Sequence, residues 1–80
     1  MLLQLYDRGS PQGKRLFIDL QTVCHRLQID YDPEYIQDMK PVYDMGIQGK
    51  TILLLDRQVV LVDQYPPPAE LEDLISDYIK

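Results

Sequence analysis

The stretch Gly49-Lys50-Thr51-Ile52-Leu53-Leu54-Leu55-Asp56-Arg57-Gln58-Val59-Val60-Leu61-Val62 decides the fold. Thr51 to Leu55 is an almost wholly apolar run between Gly49 and Asp56, the pattern of a central strand covered on both faces. Asp56-Arg57-Gln58 is a tight polar connection. Val59 to Val62 is apolar and β-branched, so the two runs read as an antiparallel hairpin. Pro66-Pro67-Pro68 then ends the second run and opens a helix with Leu71, Leu74, Ile75, Tyr78 and Ile79 along one stripe. Glu70, Glu72 and Asp73 lie near the start of that helix, where the backbone dipole favours negative charge.

Moving from the hairpin toward the N-terminus, Asp38 is expected to cap a short helix running to Met45, with Pro41 in its first turn and Gly46 as C-terminal cap. A helix begun at Asp32-Pro33 would place Pro41 in its interior at a cost of roughly 3 kcal/mol, so the shorter helix is preferred. Ile29 and Tyr31 alternate with Asp30 and Asp32, the pattern of a strand, and Pro33 near its end marks an edge position. Before it lies the clearest helix. Ser10 is its N-cap and Pro11 its first residue. Leu16, Phe17, Leu20, Val23, Cys24 and Leu27 recur at helical spacing, with Lys14, Arg15, Asp19, Gln21, Thr22, His25 and Arg26 mostly on the other side. Leu2 to Tyr6 is a first strand, ended by Asp7-Arg8-Gly9.

The element order is therefore β-α-β-α-β-β-α. Strand, helix and strand form a parallel crossover, and the hairpin joins the same sheet. The expectation is an α/β chain with one domain over residues 1–80 and a four-stranded mixed sheet flanked by helices on both faces.

The chain of 80 residues is 45% hydrophobic and 26% charged, the balance of a soluble globular domain rather than a disordered one. A net charge of −5, with the basic residues scattered along the chain, argues against a nucleic-acid partner and against attachment to an anionic membrane surface. One cysteine, Cys24, makes neither an intrachain disulfide nor a cysteine-rich zinc site, which fits a reducing compartment. The first residues lack the basic start and long apolar core of a signal peptide, and no run approaches a membrane span. The expected location is cytoplasmic.

The helix start reads Gly9-Ser10-Pro11-Gln12-Gly13-Lys14. It resembles the small thioredoxin-like and glutaredoxin-like proteins, which carry Gly-Cys-Pro-x-Cys-Lys at this place after a first strand. Further on, the family has Tyr-Gly-Val, two residues and Thr-Pro before an apolar strand. Here Tyr43 precedes Gly46-Ile47 at a different spacing, and Gln48-Gly49-Lys50-Thr51 leads into Ile52-Leu53-Leu54-Leu55. The element order is that of a minimal thioredoxin fold, and the likeness covers nearly the whole chain. It implies a thioredoxin-like domain in which Ser10 and Gly13 stand where the two cysteines would be, and Thr51 where the family keeps a cis-proline.

Thiol–disulfide exchange needs an attacking thiolate and a resolving thiol. Ser10 offers a hydroxyl, which is a poor nucleophile without a neighbouring base, and Gly13 offers no side chain. The chain is thus expected not to be an enzyme of the dithiol type. A cis bond at Lys50-Thr51 would cost about 3 kcal/mol without proline, so a trans peptide is expected. Cys24 lies about four turns into its helix beside Leu20 and Leu27, where a buried apolar role is expected. His25 points about 100° away from it and reads as an exposed residue, with nothing to complete a triad. Gly49-Lys50-Thr51 fails as a phosphate-binding loop, since Asp44 stands where the leading glycine belongs and a strand follows instead of a helix. Asp30, Asp32, Glu34, Asp38 and Asp44 follow no calcium-loop spacing and read as a solvated face. No metal ligands and no cofactor are expected. The tyrosines near this stretch, Tyr31, Tyr35 and Tyr43, would serve as contact residues wherever they stay exposed.

The leading functional expectation is a non-catalytic protein-binding or regulatory module. The resemblance implies a groove beside the former active-site helix, lined by Tyr6, Ser10, Pro11, Gln12, Lys14, Lys50 and Thr51. A helix N-terminus with a nearby lysine also offers an anion a docking point, although capping by Ser10 is the plainer role. The partner would be a protein, one with basic segments because the domain is acidic. Two alternatives stand beside this one: a single-thiol redox or thiol-transfer protein working through Cys24, and an oligomer-forming structural subunit using the Val59–Val62 strand or Tyr65.

Overall fold

A computed structural model describes residues 2–30 and 32–79. Four strands and three helices follow in the order β1 (Leu3–Asp7), α1 (Pro11–Arg26), β2 (Glu34–Ile36), α2 (Lys40–Asp44), β3 (Thr51–Leu55), β4 (Gln58–Val62) and α3 (Pro68–Ile79). The sheet order is β2-β1-β3-β4. β1 runs parallel to β2 and antiparallel to β3, and β3 is antiparallel to β4. The crossover and the hairpin expected from the sequence are thus both present in one mixed sheet.

Alternation along the strands divides the core in two. Leu3, Leu5, Leu53 and Leu55 face α1 and α3, packing with Leu16, Leu20, Val23, Cys24, Leu71 and Ile75. Tyr6, Ile52 and Leu54 face the other way and pack with Met39 and Val42 of the α2 segment. All five residues of β3 are buried, as its apolar run requires. The β3–β4 connection is a two-residue turn in which Asp56 and Arg57 both take positive φ, 49° and 68°, the geometry whose twist matches a hairpin. A bulge leaves Val60 between the pairs Leu53↔Leu61 and Leu54↔Val59.

Several boundaries differ from the sequence reading, among them the start of β4 at Gln58, and three of them are instructive. β1 extends through Asp7, the residue expected to end it. The strand expected over Ile29 and Tyr31 lies instead at Glu34–Ile36; Tyr31 itself falls outside the described residues. The reason is the end of α1. Gln28 adopts φ 56°, its N–H bonds to the His25 carbonyl, and the Ile29 N–H bonds to the Cys24 carbonyl. This Schellman arrangement spends Ile29 on closing the helix and returns its side chain to the core. Finally, α2 is capped by Met39, and Asp38 acts from one residue further out by accepting the Lys40 N–H at 3.0 Å. Gly46, at φ 83°, ends α2 by the same two-bond motif, its N–H to the Tyr43 carbonyl and the Ile47 N–H to that of Val42.

No helix among the described residues is long and apolar enough to cross a membrane.

Candidate functional site

The C-terminal end of β1 delivers Asp7 to the N-terminus of α1. Its register partner in β3 is Thr51, and both residues are 1% exposed. A buried carboxylate must find partners or lose its charge, and Asp7 finds five. Oδ2 accepts from the Gly9 N–H at 3.0 Å, the Ser10 N–H at 2.9 Å and the Tyr35 hydroxyl at 2.7 Å. Oδ1 accepts from the Ser10 and Thr51 hydroxyls, each at 2.7 Å. Gly9, at φ 98°, turns the chain back so that two successive amides point at one oxygen, a conformation open to glycine.

The network extends outward. The Ser10 Oγ, having donated to Asp7, accepts the Gly13 N–H at 3.0 Å and so caps α1. Thr51 Oγ1 lies 2.7 Å from the Tyr65 hydroxyl. A hydroxyl has one hydrogen, and that of Thr51 goes to Asp7, so Tyr65 donates to Thr51. Burial pushes the Asp7 carboxyl upward, but the bonds from Tyr35, Thr51, Ser10 and Gly9 outweigh it and its pKa lies below the ordinary 3.8. Tyr35 moves the opposite way. Burial, then its bond to Asp7 and the charge there, raise its hydroxyl from 10.0 to about 12. Its ring packs against Phe17 at 5.3 Å between centroids.

Gly13 completes the centre by having no side chain. A Cβ at that position would fall on the Asp7 carboxylate. The carboxylate occupies the space that any side chain at position 13 would need.

Above this closed centre lies an open cleft. A cavity of about 250 Å³ is bounded by Asp7, Arg8, Ser10, Tyr43 and Lys50. Tyr43 forms its far wall, held by a bond from its hydroxyl to the Gly49 carbonyl at 3.2 Å, and the Arg8 guanidinium lies 5.8 Å from the centre of its ring. The Lys50 backbone is pinned by Asp63, whose Oδ1 accepts the N–H groups of Lys50 and Thr51 at 2.7 and 2.9 Å. Those two bonds, before any effect of the Lys50 charge, hold the Asp63 carboxyl below its ordinary range. The Lys50-Thr51 peptide is trans, as expected.

Of the residues expected at the groove, Ser10 and Lys50 border this cleft, and Pro11 and Lys14 are exposed beside it. Gln12 faces a separate cavity with Arg15, Leu16, Tyr65 and the proline run. Two placements differ from the expected contact surface. Thr51 is buried and directs its hydroxyl inward to Asp7. Tyr6, 6% exposed, lies in the core among Met39, Val42 and Ile52 on the opposite face of the sheet from Asp7, because odd and even positions of β1 face opposite ways. Asp7 and Arg8 were not among the expected site residues, Tyr35 and Tyr43 were expected only as contact residues wherever they stay exposed, which Tyr43 does at 41%, and Tyr65 was expected only at a self-association surface. A charged residue closing a strand, with glycine two residues on, was the available signal for Asp7, but it reads equally as a simple turn.

Cys24 is 3% exposed, and burial, followed by the charge of Asp32, raises its thiol pKa. His25 is exposed, as are Asp30, Asp32, Glu34, Asp38 and Asp44. Among the described residues no three His, Cys, Asp or Glu side chains gather where a metal ion would sit. Comparison with protein-family models finds no match, and no curated protein is significantly similar to the chain.

Proposed function

We propose that the chain is a thioredoxin-like, non-catalytic binding module of the cytoplasm that receives a segment of a partner protein in the cleft over Ser10. The carrying observation is the contrast at the start of α1. The place of the expected dithiol is filled by a saturated Asp7 carboxylate that leaves Gly13 no room for a side chain, while the cleft above it stays open. The parallel crossover and terminal hairpin agree with the fold that the resemblance implies. Ser10 is a weak candidate nucleophile, because the carboxylate it bonds has a lowered pKa and is a correspondingly weak base.

The test uses the tagged protein as bait in a lysate of its source, beside a variant carrying Pro11→Arg and Lys50→Glu. Both positions are exposed, and circular dichroism checks that the variant folds. A partner kept by the parent and lost by the folded variant supports the cleft. A partner kept by both moves the interface elsewhere, and no partner in either overturns the reading.

A second reading, a self-associating subunit, draws on β4. This strand is at the edge of the sheet, carries no charge, and exposes Val59 to 42%. Size measurement across a dilution series tests it. The third, a thiol protein acting through Cys24, needs an exposed sulfur with lowered pKa, and the burial of Cys24 weighs against it.

A further inference from the structure

The lining of the cleft holds two cations, Arg8 and Lys50, against one carboxylate, Asp7, in a molecule of net charge −5. The chain has 13 acidic and 8 basic residues, yet the two charged side chains on the open rim of the cavity are Arg8 and Lys50. Ion pairs among the described residues join Arg26 to Glu72 and Lys40 to Asp44; neither involves Arg8 or Lys50. In a chain with this excess of carboxylates, two cations at the same cavity that form no ion pair among the described residues are informative.

Asp7 and Asp63 keep their negative charge and offset part of that of Arg8 and Lys50, but their hydrogen bonds run to other donors. Asp7 forms the floor, with its oxygens taken up by five donors. Asp63 directs Oδ1 to two backbone N–H groups, and Lys50 adds only the last of the influences on its pKa. Arg8 is held over the Tyr43 ring, which orders a long side chain before a ligand arrives and reduces the entropy lost on binding.

We propose that the cleft selects an acidic segment: an extended peptide whose Asp or Glu carboxylate sits between Arg8 and Lys50, with its neighbouring apolar atoms against Tyr43. This rests on the binding-module reading and names the chemistry of the partner. It reverses the expectation from net charge, because a ligand responds to the charges within about 8–10 Å of it at physiological salt and not to the sum over the molecule. The acidic remainder of the surface then serves to orient the approach, turning an acidic partner toward the one face that accepts it.

A displayed library of random twelve-residue peptides, with free termini blocked, tests the proposal on the intact protein. Three forms are panned: the parent, Arg8→Glu/Lys50→Glu, and Pro11→Arg, each checked for folding by circular dichroism. The expected result is enrichment of Asp and Glu over Lys and Arg among parent binders. Their affinity should fall at least tenfold in the double variant and also weaken when salt is raised. Binders without acidic enrichment, or unaffected by Arg8→Glu/Lys50→Glu, overturn the charge assignment. If Pro11→Arg still abolishes them, the binding-module reading survives that failure. Failure of the parent to select any peptide overturns both.

Discussion

Two regions lie one above the other at the start of α1, and they use polar residues in opposite ways. Below, Asp7, Ser10, Tyr35, Thr51 and Tyr65 form a closed centre in which each donor has an acceptor and the carboxylate has five bonds. Above, Arg8 and Lys50 border a cavity, and among the described residues neither forms an ion pair. Buried polar groups that satisfy one another hold a structure together, whereas exposed charges without partners add little to stability and remain available to a ligand. The comparison teaches that hydrogen-bond saturation, more than residue type, separates the structural half of this site from the half that can bind.

The comparison can be broken most directly at Asp7. Asp7→Asn replaces an acceptor with a group that also donates, placing N–H against hydroxyl and amide donors, and should cost about 4 kcal/mol of unfolding free energy. A urea titration measures it. A loss below about 1 kcal/mol would mean that the centre is not what closes the fold.

Gly13→Ala should cost about 3 kcal/mol by overpacking against the carboxylate. The same change made in an Asp7→Ala background should cost much less, since the obstructing group is gone. A double-mutant cycle in urea reads this coupling. Additive losses would show that Gly13 is required for some reason other than Asp7.

Acid sharpens the same contrast. The Asp7 carboxyl has a folded pKa below its ordinary 3.8, so its contribution to stability is whole above that value and is lost as pH falls through the folded value. Asp7→Asn should flatten the corresponding part of the acid limb, and stability followed by circular dichroism from neutral to acid pH will show it. Tyr35 has the reverse sign. Its hydroxyl is raised to about 12, so its contribution is intact below the unfolded value and is lost as pH rises toward 12. Tyr35→Phe should remove that alkaline loss.

The smaller effects lie at the rim. Tyr65→Phe removes one donor from a hydroxyl that still bonds to Asp7, and should cost about 1 kcal/mol in thermal or urea unfolding. Arg8→Glu with Lys50→Glu should change stability by less than about 0.5 kcal/mol. If that double variant unfolds as readily as Asp7→Asn, the division between a structural centre and an available cleft fails.

Much of the fold was legible because its signals are local. Ser10-Pro11 marks the start of α1, since a cap and a fixed φ act within one turn, and the Ser10 bond to Gly13 agrees. The hairpin was legible from its two apolar runs and the short polar connection between them, although Gln58, assigned to that connection, belongs to β4. The second strand was misplaced because alternation over Ile29 to Asp32 is also what the close of a helix looks like when Gln28 takes a left-handed turn.

The site was legible only in outline. Ser10 and Lys50 were identified as bordering it, but the residue at its centre was taken for a turn. By itself, the sequence determined the order of the elements, the capped start of α1, the burial of Cys24 and the presence of a single cysteine, each of which depends on residue identity and near neighbours. Only the tertiary structure decided that Asp7 is a buried hub, because its partners Tyr35 and Thr51 are 28 and 44 residues away in the chain. They meet it through strand pairing, and no short-range pattern encodes which side chains a sheet register will bring within 2.7 Å of one carboxylate.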